Sequence, residues 1–232
     1  MKIITFAAQK GGVGKTTTAV NIALAAQAVG LKVVVFDLDM QESATSWYER
    51  RAELMPDIDE DLHVEFTTAR RLPTGIASAE ANGYDLVIVD TPPAAGPDAV
   101  EAVQAADLVL IPCRPSLIDL DAIKRTAQLL KTTKAKGFVL LNAAPPTAVT
   151  LIDEAQKFAE TTGLAVAPAV LRERSSFRNS WPTGQGVIEY EPEGKAAAEI
   201  ATLMKFISEE LQIVIRSKRQ IIKASNQQKK RA

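Results

Sequence analysis

The sequence predicts an α/β domain built on a mostly parallel, twisted sheet of about seven or eight strands sandwiched between helices. Three observations carry this expectation. Short apolar runs alternate with longer helical stretches along nearly the whole chain. Runs such as Leu86-Val87-Ile88-Val89 are apolar at consecutive positions, which suits strands covered on both faces. Polar residues (Asp37, Asp39, Asp90, Asn142) fall at the carboxyl ends of these runs, where ligands of parallel sheets bind.

In chain order, strands are expected at 2–8, 32–37, 63–67, 85–90, 108–113 and 138–142, with a short one near 164–167. Each is a brief apolar run bounded by polar or turn-forming residues. Helices are expected between them, at 16–29, 42–54, 73–81, 97–105, 120–133 and 149–162. The chain of 232 residues shows no convincing internal repeat and no long Pro/Gly/Ser linker, so residues 1–215 read as one domain. Residues 216–232 read as a basic helix end or tail, loose after about Ala224.

The formal net charge of −1 conceals an asymmetry. Seven of the 27 basic residues lie from Arg216 onward with no acidic residue among them, leaving 20 basic against 28 acidic residues before that point. A basic tail on an acidic body suits an anionic partner, nucleic acid or a membrane surface, or serves only solubility. The single cysteine, Cys113, forms no intramolecular disulfide, ends an apolar strand and reads as a buried, inert thiol of a reducing compartment. No stretch approaches the roughly 20 apolar residues of a membrane span. The chain leads directly into its first strand, so no signal peptide is expected and the expected location is cytoplasmic.

Residues 9–18, Gln9-Lys10-Gly11-Gly12-Val13-Gly14-Lys15-Thr16-Thr17-Thr18, carry the chemistry. A glycine-rich turn between a strand and a helix points backbone N–H groups inward, and the helix N-terminus adds partial positive charge, which together make a nest for phosphate. Lys15 is placed to reach the β- and γ-phosphates, and the Thr16 hydroxyl to ligate Mg²⁺. The expected fold is therefore of the P-loop NTPase type. The match to G-x-x-x-x-G-K-[ST] departs at its first position, where Gln9 stands in place of Gly and is followed by a second lysine, Lys10.

The string K-G-G-x-G-K-T-T resembles the deviant Walker A motif of the ParA/MinD family of ATPases. The resemblance runs from Met1 to about Leu211. It implies a nucleotide site made of Lys10, Gly11, Gly12, Val13, Gly14, Lys15, Thr16 and Thr17, with Lys10 reaching across a dimer interface to the partner's nucleotide. Asp90-Thr91-Pro92-Pro93 resembles the family's Walker B-like aspartate and second switch, and a carboxylate at that strand end is placed to hold Mg²⁺, often through water. Asp37-Leu38-Asp39-Met40-Gln41 resembles the D-x-D-P-Q stretch, with Met40 in place of Pro. Asp39 would then orient the attacking water and support the metal, while Asp37 supports the loop or the metal's outer shell. Asn142 resembles the residue that hydrogen-bonds the adenine edge, although an Asn at a strand end also suits a turn. The 168–172 loop would flank the base. The only histidine, His63, falls in an expected strand away from the loop, which phosphoryl transfer tolerates because it depends on positioning and charge neutralisation.

The resemblance further implies ATP and Mg²⁺ as ligands, a homodimer on ATP binding, non-specific DNA binding, and slow turnover stimulated by a ParB-like or other adaptor protein. Candidate DNA contacts are Arg172, Arg174, Arg178, Lys195, Arg216, Lys218, Arg219 and Lys223, giving a nucleoid-associated partition or positioning ATPase. The larger plasmid ParA proteins carry an N-terminal helix-turn-helix extension, which is not expected here, nor is operator-specific binding. The alternative is a MinD-like membrane-associated ATPase, since Phe206-Ile207, Leu211, 213–215 and 221–222 share a segment with the basic residues; these apolar residues serve lipid or simply pack the last helix. An iron–sulfur reductase like nitrogenase iron protein needs paired cysteines, and a tail-phosphorylating tyrosine kinase needs a tyrosine-rich tail; neither is present. A small-molecule ligase resembling dethiobiotin synthetase would not need Lys10 in trans, and a scaffold would not need Lys15, Thr16, Asp39 and Asp90 together.

Overall fold

The computed structural model describes residues 1–56, 61–93, 96–147 and 149–214. It contains one sheet of seven parallel strands: β1 (Lys2–Phe6), β2 (Val33–Asp37), β3 (Leu62–Phe66), β4 (Leu86–Asp90), β5 (Leu108–Cys113), β6 (Gly137–Ala144) and β7 (Ala165–Arg172). The spatial order is β3-β2-β4-β1-β5-β6-β7. The helices are α1 (Lys15–Ala28), α2 (Ser43–Leu54), α3 (Leu72–Ala81), α4 (Pro97–Ala105), α5 (Leu117–Thr133), α6 (Val149–Thr161), α7 (Ser175–Ser180), α8 (Val187–Tyr190) and α9 (Lys195–Leu211).

The continuous apolar runs have a simple cause. Side chains alternate across a strand, and both faces of this sheet are covered. Val33, Val35, Leu86, Ile88, Leu108 and Leu110 join the core under α1, α2, α8 and α9. Their neighbours Val34, Val87 and Val89 pack against α3 and α4, while Val109 and Ile111 pack against α5 and α6. Polar residues are thereby excluded from strand interiors and collect at strand ends.

The pairing register aligns those ends. Phe6 of β1 lies opposite Asp90 of β4, and Asp90 lies opposite Asp37 of β2. The phosphate-loop strand and the two carboxylate strands are therefore adjacent. His63 lies on β3, at the far edge of the sheet.

Three differences from the expected elements have physical reasons. β7 runs from Ala165 to Arg172, so residues 168–172, expected as a loop flanking the base, are strand. The strand is at the sheet edge, where the missing N–H of Pro168 is tolerated, and its pairing with β6 shifts register between Val139 and Leu141. α5 begins at Leu117 because the Ser116 side chain caps it, accepting the Asp119 N–H at 3.3 Å. α7 and α8 are short helices without enough periodic positions to be legible. α9 buries Ile200, Leu203, Phe206, Ile207 and Leu211 in the core, so that much of the apolar C-terminal stripe packs the last helix. Residues 216–232 lie outside the described residues.

Candidate nucleotide site

The site begins where β1 ends. After Phe6 the chain turns through the glycine-rich loop into α1, with Gly12 at φ 71° and Gly14 at φ 88°, both left-handed. Gly14 is the N-cap of α1 and carries no side chain to satisfy the first-turn amides. No acidic residue occupies that turn either. The helix thus presents its N–H groups and partial positive charge to the space above the loop. Gly14 is required for a second reason: a Cβ there would stand 2.2 Å from Asn142 Nδ2. On its far side α1 is anchored by Asn21, whose Oδ1 accepts the Val187 N–H at 2.8 Å.

Lys15 opens α1 and is only 6% exposed. Burial lowers its pKa, and the nearby Asp90 and Asp39 carboxylates pull it back up. Asp90 is fully buried, and neither of its oxygens has a hydrogen bond of regular geometry among the described residues. Burial pushes its pKa up to about 7; the Thr16 hydroxyl and Lys15 oppose the shift, and Asp37 and Asp39 add to it. An orphaned carboxylate is expensive unless something completes it. A divalent cation held between Asp90, the Thr16 hydroxyl and phosphate oxygens fits this donor set, because Mg²⁺ takes hard oxygen ligands and keeps several waters. Among the described residues there is no group of three or more His, Cys, Asp or Glu placed to hold a metal ion.

Asp37 has a different job. Its Oδ1 accepts the Asp39 N–H at 3.1 Å, and its Oδ2 accepts the Ala44 and Thr45 N–H groups at 2.9 and 3.2 Å. Burial raises its pKa and these bonds oppose the rise. It secures the start of α2 and the loop carrying Asp39, which matches the loop-supporting alternative. Asp39 is half-buried and accepts the Gln41 N–H at 3.1 Å in an Asx-type turn, and its charge acts on both Lys15 and Asp90. Met40 projects into solvent, 76% exposed. Thr91 ties β4 to β1 by donating to the Phe6 carbonyl at 2.8 Å, and Pro93 packs against Gly11.

The opposite rim is built from β5, β6 and the segment after β7. Asn142 donates to the Val13 carbonyl at 2.6 Å, which braces the phosphate loop from beneath. A cavity of about 260 Å³ opens beside it, lined by Gly12, Val13, Gly14, Thr17, Thr18, Arg114, Asn142 and residues 172–174, 177 and 178. Its adjacency to the α1 N-terminus suits the base and sugar of a nucleotide. Asn142 thus supports the loop and also faces this cavity.

Two features of the rim escaped the sequence. Arg114 donates to the Gly12 carbonyl at 2.8 Å. Lys10 pairs with Asp119 of α5, Nζ to Oδ1 2.6 Å. An arginine at the end of β5, whose neighbour in the sheet is β1, is the signal that could have found the first. Nothing local marks the second. Cys113 is buried, and burial pushes its thiol up to about 12, in keeping with an inert thiol.

The candidate DNA contacts fall in three groups. Arg172 donates to the carbonyls of Pro145 and Pro146, and Arg174 pairs with Glu199; both line or adjoin the cavity. Arg178 and Lys195 are exposed. Arg216, Lys218, Arg219 and Lys223 lie outside the described residues.

Comparison with known proteins agrees with this architecture. Residues 4–187 match the family model described as the CobQ/CobB/MinD/ParA nucleotide binding domain. The "Maintenance of carboxysome distribution protein A" of Gloeobacter kilaueensis is 34% identical over 205 residues, covering 87% of this chain and 90% of that protein. The "Sporulation initiation inhibitor protein Soj" of Bacillus subtilis is 27% identical over 255 residues, covering 89% and 98%. The septum site-determining protein MinD of Pyrococcus horikoshii, solved with Mg-ADP, shares the fold with a TM-score of 0.72 at 21% identity, covering 89% of this chain and 95% of that one. The loop, the orphaned carboxylate beside it and the matched residues lead to one conclusion: the chain belongs to the ParA/MinD family of nucleotide-binding ATPases.

Proposed function

We propose that this chain is a small ParA-type ATPase that closes into a dimer over ATP, binds DNA non-specifically in that state, and partitions or positions a cargo. Hydrolysis, stimulated by a partner protein, releases the dimer. The observation that carries the reading is the contrast between the two loop lysines. Lys15 is buried and faces the carboxylates of its own site. The Lys10 side chain is 41% exposed and points to the other side of the loop. One loop with two cations aimed differently suits two triphosphates, its own and a partner's.

Within one site, Lys15 and the α1 amides would hold the phosphates, Thr16 and Asp90 the Mg²⁺, and Asp39 the attacking water. The metal, when bound, neutralises charge on the phosphate oxygens. Asp37 fixes the loop on which Asp39 sits. Loss of the γ-phosphate would remove what holds two positive loops face to face.

DNA is favoured over lipid because the apolar face of α9 is spent on the core. Among the described residues no helix is long and apolar enough to cross a membrane. Exposed Arg178 and Lys195, together with the basic residues after 215, would be doubled by dimerisation, and such phosphate contacts weaken steeply with salt. A relative named for carboxysome distribution supports a positioned protein cargo as well as DNA. The test is light scattering of the Asp39→Ala variant at saturating Mg·ATP, where twice the monomer mass is expected and monomers would overturn the reading. ATP-dependent retention on non-specific DNA is expected, and binding to anionic liposomes without DNA binding would replace DNA by membrane.

A further inference from the structure

The helix that follows Asp39 is fastened at both ends. Asp39 joins α2 through a tight turn, in which the Glu42 N–H donates to the Asp39 carbonyl at 2.8 Å. Glu42 takes a left-handed φ of 50°, which a residue with a side chain keeps only where its surroundings hold it there. A shift of α2 therefore reaches Asp39 directly. Asp37 secures the near end of α2, and Tyr48 ties its middle to β3 by donating to the Leu62 carbonyl at 2.8 Å. The buried residues of α2 are Ala44, Trp47 and Arg51, a single narrow stripe that ends at Arg51. Arg51 is 5% exposed and clamped. Its Nη1 and Nη2 donate to the two Glu189 oxygens at 2.7 and 2.6 Å, and Nη1 also donates to the Gly184 carbonyl at 2.8 Å. The two backbones meet closely here, since a Cβ on Gly184 would stand 2.7 Å from Arg51 Cα. Glu189 in turn accepts the Gly186 N–H at 3.1 Å. The neighbouring Val187 N–H is held by Asn21 of α1, whose Nδ2 donates to the Thr17 carbonyl at 2.8 Å. Thr17 lies in the first turn of α1. One continuous set of bonds thus runs from the phosphate end of α1, through residues 184–189 and Arg51, to the helix that carries the Asp39 turn.

We propose that Arg51 and Glu189 are a positioning pair for hydrolysis, fixing where Asp39 stands relative to the phosphates held by α1. This rests on the reading of Asp39 as the residue that orients the attacking water. A buried ion pair is no more stabilising than a well-packed apolar filling of the same volume. What the guanidinium adds is geometry. Two parallel bonds to one carboxylate and a third to a carbonyl set both the distance and the angle between α2 and the 184–189 segment, which neither a lysine nor an apolar side chain reproduces. Attack by water is sensitive to this, because a misplacement of about 1 Å can cost on the order of 100-fold in rate. Nucleotide affinity is less sensitive, because the phosphates are held by the loop and the α1 amides.

The test compares ATP turnover at saturating Mg·ATP with Mg·ADP affinity measured by calorimetry. Arg51→Lys keeps the charge and loses the fork. Glu189→Gln is the milder change, because this side chain is 31% exposed and Gln retains an acceptor for the Gly186 amide. Each is expected to lower turnover by about tenfold and to leave affinity within about twofold. Both are also made in the Asp39→Ala background, where they are expected to cost nothing further. An equal fractional loss in the two backgrounds would show that the effect does not pass through Asp39, and the positioning role falls. Affinity that drops in parallel with turnover would mean that α1 itself has moved, which also overturns it. Full turnover by both variants, with Asp39→Ala impaired as expected, removes the positioning pair and leaves the reading of Asp39 intact. Unimpaired Asp39→Ala removes both. A second readout needs no hydrolysis. The chain's two tryptophans, Trp47 and Trp181, lie 6.0 Å apart between ring centroids, with the Arg51 guanidinium over the Trp47 ring. Acrylamide should quench their emission several-fold faster in Glu189→Gln, and equal quenching would mean that the end of α2 stays seated without the clamp.

Discussion

The two sides of the nucleotide cleft are built differently. On the β2–β4–β1 side, Lys15, Asp37 and Asp90 are buried, the two carboxylates are aligned by parallel register, and the cost of burial is stored in displaced proton affinities. On the β5–β6 side, Lys10 and Arg114 are accessible and each is held by a contact that can exchange. On the proposed function, the first side is a preformed receptor for phosphate and metal. The second is a pair of cations bound to groups of their own chain. Rigidity where charge must be neutralised, and exchangeable pairs where a partner must be admitted, is the arrangement a nucleotide-driven dimer needs.

The largest effect should come from breaking the buried side. Lys15→Ala removes the only lysine facing the phosphate space from within α1, and nucleotide affinity is expected to fall by about 100-fold or more, as when charge-assisted bonds are lost. Isothermal titration with Mg·ADP checks this, and retained affinity would mean that the buried side is not the phosphate site. Asp39→Ala should reduce turnover by about 100-fold while leaving nucleotide affinity within a few-fold, because the proposed roles of Asp39, orienting the attacking water and supporting the metal, bear mainly on the transition state. Accumulation of ATP-bound dimer during turnover is the accompanying sign. A parallel drop in affinity would place Asp39 among the ground-state contacts instead.

Breaking the exchangeable side should do less to binding and more to assembly. Lys10→Ala is expected to change nucleotide affinity of the monomer by no more than about threefold, since its ammonium is paired with Asp119 of α5 and not with the carboxylates beside Lys15. ATP-dependent dimerisation should be lost or weakened at least about tenfold. Normal dimerisation by this variant would remove the distinction between the two lysines.

The same contrast explains what was legible in the sequence. Strands, their order of burial and the phosphate loop were readable because alternation under two helical layers forces consecutive apolar residues, and because Gly12 and Gly14 stand where only a left-handed backbone fits. Asp90 was readable from its place after four apolar residues. Asp37 was legible as a carboxylate but only half as a role, because capping the start of α2 depends on where residues 44 and 45 come to lie. Asn142 shows the same limit: its bond to the Val13 carbonyl joins residues far apart in the chain. The Lys10–Asp119 pair and the Arg114–Gly12 bond are long-range contacts between residues that a local reading treats as solvated charges. The end of β7 was missed because its pairing with β6 shifts register and a proline is tolerated at a sheet edge, and strand order was not readable from residues alone.

The smallest predicted effect probes the cost stored on the buried side. Asp90 has its pKa raised from 3.8 to about 7, chiefly by burial. Between those values the folded chain keeps a proton that the unfolded chain has lost, so stability of the nucleotide-free protein should fall as pH rises from about 4 to about 7 and level off above. Asp90→Asn removes the ionisable group. It should therefore gain most at pH 7.5, by about 1–2 kcal/mol or a few degrees in melting temperature, and lose the advantage near pH 4.5. Added Mg·ADP should reverse the ranking at pH 7.5, because the native carboxylate then has the cation it lacks and the variant has no charge to offer. A variant less stable than the native chain at neutral pH without nucleotide would mean that Asp90 already has its charge balanced by Lys15, and that the cation arrives to complete a pair rather than to rescue an orphan.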